Sequence, residues 1–168
     1  QYPTGLGEGF EILLTEDSRI KDGDTVLVSF NQAQEGVITN CPSEPLYYAF
    51  MRKSITNVVE KLNPRYLHIG HDEPQFFNRC QRCRDRNMSN EDLFVDAIKR
   101  VRQIAKDADP DLRIMLWDDA INPYQNARHL GAATAAEKLP RDLVIAIWWY
   151  DDDQWEEQVD KSVQYFTE

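Results

Sequence analysis

From Ser43 to Tyr150 the chain alternates, three times over, between a stretch with apolar residues at helical spacing and a short run that is apolar at almost every position. No other feature constrains the fold as tightly. Strands separated by helices cannot close into hairpins, so they pair in parallel through crossovers. The runs Tyr66–Gly70, Arg113–Trp117 and Leu143–Trp148 are too apolar to leave a face in water, and helices on both sides can cover them. The pattern predicts an α/β fold built on a parallel sheet.

The helix boundaries follow from local chemistry. Ser43 caps the first helix, with Glu44 and Pro45 in its first turn and Leu46, Phe50, Ile55, Val58, Val59 and Leu62 along its apolar face. Asn63-Pro64 ends it. Ser89 with Asp92 is a capping-box signature for the second helix, whose core face is Phe94, Ile98, Val101, Ile104 and Ala105. Asp109-Pro110-Asp111 stops that helix. A third is expected within 124–138 and a short last one from about Glu156. Residues 74–88 read as a polar, Arg-rich loop. Ahead of the first helix, 1–9 read as loop, Phe10–Leu14 as a short apolar element, Asp22-Gly23-Asp24 as a turn, Thr25–Phe30 as a strand and 31–42 as loop. The expected organisation is a single domain, with a lead-in over 1–42, a β/α core over 43–150, and a loop and helix over 151–168.

Charge narrows the partners. A net charge of −10 over 168 residues repels nucleic acid and anionic membranes alike. The longest apolar run, Leu143–Tyr150, is far too short to span a bilayer. Gln1 stands where an initiator Met would be, with no signal-peptide pattern behind it, so the chain reads as processed, excised or incomplete.

Each of the three core strands runs into polar or aromatic residues: His71-Asp72-Glu73, then Trp117-Asp118-Asp119, then Trp148-Trp149-Tyr150-Asp151. In parallel α/β folds the C-terminal strand ends form the ligand-binding rim. Tryptophan rings stack on the apolar faces of sugars, and carboxylates bind hydroxyls and move protons, so the combination suggests a glycosidase pocket. Taken singly, each feature has a plainer reading. An acid behind a strand commonly caps the next helix, and a strand-end Trp is commonly core. Their coincidence at successive strand ends favours a site. Adjacency constrains its mechanism. Most glycosidases place two carboxyl groups about 5 to 9.5 Å apart across the scissile bond. Chain neighbours such as Asp72 and Glu73 cannot easily do so. One of them can protonate the leaving oxygen while the other steadies a nucleophile belonging to the substrate, such as a 2-acetamido group.

The stretch "YLHIGHDEP" resembles the strand-end motif of family 20 glycoside hydrolases, the β-N-acetylhexosaminidases, whose usual form is His-x-Gly-Gly-Asp-Glu. "NCPSEPLYYAFMRKSITNVVEKLNP" is similar to the family's Cys-Pro-Ser-x-Pro helix before the motif, and "RIMLWDDAI" and "LPRDLVIAIWWYD" are similar to its next two strands. The resemblance covers roughly residues 40–150. It implies part of a (β/α)8 TIM barrel, about strands 4–6 with their helices, out of a full barrel of roughly 250 residues. It implies Glu73 as general acid and then base, Asp72 as the residue that orients the acetamido group, and Trp117 and Trp148 as pocket walls. Asp118, Asp119, His71, His68 and Tyr150 complete the candidate substrate contacts. The reaction it implies is release of terminal β-linked N-acetylhexosamine from a glycan, with no cofactor and no metal; secretion or a periplasmic location suits that role.

His71 departs from the pattern, standing where the family usually has its second Gly. An arc of strands without the rest of a barrel exposes sheet edges and one apolar face, which predicts self-association. Three rival readings stand beside the glycosidase. His68, His71 and the rim acids could serve a metal-dependent hydrolase. A sugar-binding or degenerate module could keep the pocket without turnover. Cys80-x-x-Cys83 could be half of a zinc site with Cys41 or a histidine, or a redox pair; the plainer reading is a loop with incidental thiols or one structural disulfide to Cys41.

Overall fold

Arg113–Trp117 alternates between buried and more open positions, and it is the central strand of the computed structural model of the chain. The structure describes residues 14–27, 39–74, 76–149 and 155–167. It divides into two compact units, Gln1–Gln34 and Glu35–Glu168. In the first, the Asp22-Gly23-Asp24 turn forms as expected. The Asp24 N–H donates to the Lys21 carbonyl at 3.0 Å, and Gly23 takes a φ of 87° that favours glycine. Residues 25–27 are not strand, and the rest of the expected Thr25–Phe30 strand lies outside the described residues, as does Phe10–Leu14 save Leu14.

The second unit holds the sheet. Strands β1 (Tyr66–His68), β2 (Arg113–Trp117) and β3 (Val144–Ala146) lie in that order, and both pairings are parallel. Tyr66 pairs with Arg113, and Trp117 with Ala146. β1 and β3 are shorter than their apolar runs, yet the ladder extends past them. The Ile69 N–H donates to the Met115 carbonyl at 2.8 Å and the Asp118 N–H to the Ala146 carbonyl at 3.1 Å. The register gives each face its own set. Leu67, Ile69, Ile114, Leu116 and Ile145 share one face and join the helical core. His68, Met115 and Trp117 share the other.

Helices α1 (Pro45–Leu62) and α3 (Asn90–Ala108) pack on each other beside the apolar face. α3 behaves as its pattern demands. Ser89 Oγ accepts from the Asp92 N–H at 3.0 Å, and Phe94, Ile98, Val101, Ile104 and Ala105 are all buried. α1 departs on two points. Its N-cap is Glu44, not Ser43, and its buried side runs through Tyr48, Met51, Ile55 and Val59. Leu46 and Phe50 are 75% and 66% exposed because they lie across the helix from Ile55. Residues 74–88 contain one helical turn, α2 (Gln81–Arg84). The single helix expected within 124–138 is instead α4 (Ala127–Leu130) and a 3₁₀ turn (Ala135–Lys138). Gly131, at a φ of 74°, ends α4 between them. The last helix, α5 (Trp155–Thr167), is longer than the short one expected. Among the described residues no helix is long and apolar enough to cross a membrane.

Candidate active site

Parallel pairing brings all three strand ends to the same edge of the sheet, so the clusters meet there as far as Trp149. β1 leaves the sheet through Gly70 at a φ of 75° and His71 at 69°, and the chain reaches Glu73 at a φ of 22°. Non-glycine residues resist this left-handed region, so His71 and Glu73 need outside support. For Glu73 that support is Asp119, whose Oδ2 accepts from the Glu73 N–H at 2.9 Å. The Glu73 and Asp72 side chains are exposed at the rim.

Asp119 is fully buried and holds three donors. Besides the Glu73 amide, the Asn126 Nδ2–H reaches Oδ2 at 3.3 Å and the Trp148 Nε1–H reaches Oδ1 at 3.4 Å. Asn126 also donates to Glu73 Oε1 at 3.3 Å, so one amide bridges the two acids. Asp118 is equally buried but serves the scaffold. Its Oδ2 accepts from Asn122 Nδ2 at 2.6 Å, its Oδ1 from the Trp148 N–H at 3.3 Å, and Asn122 passes on to Ser162 Oγ of α5 at 2.8 Å. Burial pushes the Asp118 carboxyl above its ordinary range, against the Asn122 and Trp148 bonds, which hold it down. Neither acid caps a helix.

Gln125 Nε2 donates to the Trp148 carbonyl at 2.6 Å, fixing the third strand end. Trp117 is half-buried on the face shared with His68, and their rings lie 4.4 Å apart between centroids. His68 Nδ1 accepts from the Gly70 N–H at 3.0 Å. Burial lowers the His68 pKa while the Asp72 charge raises it, so Asp72 sits within reach of this ring pair. Tyr150 lies outside the described residues. Among the described residues the group of three His, Cys, Asp or Glu side chains that converges on one point is Cys41, Cys80 and Cys83.

The order of these clusters along the chain has a match. The profile of glycosyl hydrolase family 20, catalytic domain, matches residues 12–165. The chain belongs to glycoside hydrolase family 20. Its parallel strands are accordingly part of a TIM barrel, and the family's chemistry is hydrolysis of hexosamine-type glycosides. No individually curated protein matches the chain.

In this family 20 chain His71 faces away from the rim acids. The ring turns toward α3, 5.8 Å from Phe94 between centroids, and its Nδ1–H donates to the Ile69 carbonyl at 3.0 Å. Burial pushes its pKa down to about 4; the Ile69 carbonyl and the Asp72 charge oppose this and His68 adds to it. The imidazole is therefore neutral at neutral pH, with its proton on Nδ1. An unfolded His titrates near 6.5, so between that value and about 4 the unfolded chain binds a proton that the folded chain refuses. Stability from this group is complete above about pH 6.5 and is lost as pH falls through about 4. His71→Asn keeps a residue that tolerates positive φ and cannot titrate. Urea denaturation from neutral pH to about pH 4 should show wild type losing about 3 kcal/mol more than this variant. Equal losses would mean that His71 is not a buried neutral imidazole.

Three residues bonded into this rim were not expected from the sequence: Asn122, Gln125 and Asn126. The one available hint is the run of amides directly behind the Asp118-Asp119 pair.

Proposed function

We propose that this chain carries the acid–base centre of a retaining, substrate-assisted β-N-acetylhexosaminidase, with Glu73 as proton donor and Asp72 as its partner. The supporting observation is the division of labour among the four rim carboxylates. Asp118 and Asp119 are buried with their oxygens engaged by donors, so neither is open to an anomeric carbon. Asp72 and Glu73 are exposed, and as chain neighbours they cannot take opposite sides of one bond. None of these four acids stands across the bond from Glu73, which supports a nucleophile that comes with the substrate.

In this reading the carbonyl oxygen of the 2-acetamido group attacks C1 as Glu73 protonates the departing glycosidic oxygen. Asp72 orients the acetamido N–H and stabilises the cyclic oxazolinium that results. Glu73, now ionised, takes a proton from water as that water adds to C1, which restores the original configuration. Trp117 and Trp148 wall the acetamido pocket, and Asp119 positions the acid through its backbone. The core over 43–150 holds all of these residues.

The test is a matched pair of aryl glycosides, one with a 2-acetamido group and one with a hydroxyl in its place, given to the full-length enzyme. The acetamido sugar should be hydrolysed, and the hydroxyl sugar should fall by at least about a thousandfold in kcat/KM, because an intramolecular nucleophile has been removed. Comparable turnover of both would require a separate enzymic nucleophile and sink the assignment. Binding of the acetamido sugar without turnover would favour a sugar-binding module.

A further inference from the structure

Three thiols take no part in this chemistry. Cys41 precedes α1, while Cys80 caps the single turn α2 and Cys83 lies within it, behind the acidic pair. Across that separation their sulfurs converge. Cys41 Sγ lies 3.3 Å from Cys80 Sγ and 3.6 Å from Cys83 Sγ, and all three lie within 4.8 Å of one another. Thiolates at about 2.3 Å around a tetrahedral zinc stand ~3.8 Å apart, close to these spacings. A disulfide would join two sulfurs and leave the third aimed at the same point.

The polar groups around the sulfurs leave them free to act as ligands. Ser43 Oγ–H donates to Cys83 Sγ at 3.2 Å, which is the task this serine performs in place of capping α1. The nearby guanidiniums are engaged elsewhere: Arg82 with Glu44, Arg84 with the Arg79 carbonyl and Gln81, and Arg86 with Asp96. Three converging sulfurs with the Ser43 hydroxyl behind one of them form a ligand cluster, in which a bound cation would take the place of the thiol protons.

We propose that Cys41, Cys80 and Cys83 bind one soft divalent cation of the zinc class, the fourth position being taken by water or a donor outside the described residues. The ion is structural. It ties the start of α1 to the segment that follows Asp72 and Glu73, where Phe76, Asn78 and Asn87 hold positive φ. That segment is therefore anchored by metal at its far end and by the Asp119 contact at its near end.

The test uses the full chain purified under reducing conditions without chelator. Elemental analysis should find about one zinc per chain. Intact-mass alkylation should find the three thiols protected until the metal is stripped, and stripping should lower Tm. Refilling with cobalt(II) should give thiolate-to-metal charge-transfer absorption, lost in Cys80→Ser and in Cys83→Ser. A metal-free chain with three freely alkylated thiols overturns the proposal. So does a chain two hydrogens lighter that carries a disulfide, or zinc retained undiminished in both serine variants. Should a serine variant not fold, the wild-type stoichiometry and cobalt spectrum decide the matter.

Discussion

Glu73→Gln should lower kcat on an aryl β-N-acetylglucosaminide by about 10²- to 10⁴-fold with little change in KM, the usual contribution of a positioned general acid–base. The substitution is clean for structural reasons. The Glu73 side chain is exposed and its recorded bond is the one it accepts at Oε1 from Asn126, which a glutamine oxygen can also accept. Its backbone N–H still reaches Asp119. Fold and binding should therefore survive while the transferable proton is lost, so kcat and kcat/KM should fall together. Leaving-group dependence separates this from a general loss. An aryl group that departs readily needs little protonation, so the cleavage step should recover toward wild type as the leaving phenol becomes more acidic. A deficit of equal size for every leaving group would show that Glu73 does not donate the proton. An unchanged kcat would remove it from the reaction.

The sequence speaks clearly where one physical requirement acts alone. Strand β2 and helix α3 could be read directly, because burial on the sheet and along one helix face leaves an unambiguous pattern and the Ser89 cap is local chemistry. Helix α1 was harder. Leu46 and Phe50 are as apolar as Tyr48 and Met51, and only packing against α3 decides which side is covered. The break at Gly131 is a backbone choice that a helical composition conceals. At the rim, the positions of the acids could be read but their division of work could not. Asp118 and Asp119 look equivalent in sequence, yet one bonds to Asn122 beneath the rim and the other to Glu73 from a strand 46 residues away. Ser43 reads as a helix cap until the fold places Cys83, 40 residues distant, against its hydroxyl.

Asp119→Asn should be the most damaging near-isosteric change in the site, and the reason is a count of donors. Glu73 N–H and Asn126 Nδ2–H approach Oδ2, and Trp148 Nε1–H approaches Oδ1. Every partner donates, so both ends of the side chain must accept, which a carboxylate does and an amide cannot. Whichever way the new asparagine turns, its NH₂ faces a donor. With the oxygen toward Glu73, the Trp148 indole loses its bond to this side chain. With the oxygen toward Trp148, the Glu73 amide is released from a backbone position at φ 22° that it has little reason to keep unaided. Leaving a buried donor unpaired costs about 1–3 kcal/mol. For a domain of this size that lowers Tm by about 2–12 °C. Activity should fall at least about tenfold in enzyme that remains folded, through misplacement of the acid, since small displacements of a catalytic group cost rate steeply. The readouts are a thermal melt and kcat measured well below the variant's own Tm. If the variant melts early but keeps wild-type kcat, Asp119 braces the rim without aiming Glu73. If it is both stable and active, the bond from the Glu73 amide is not what holds the acid in place.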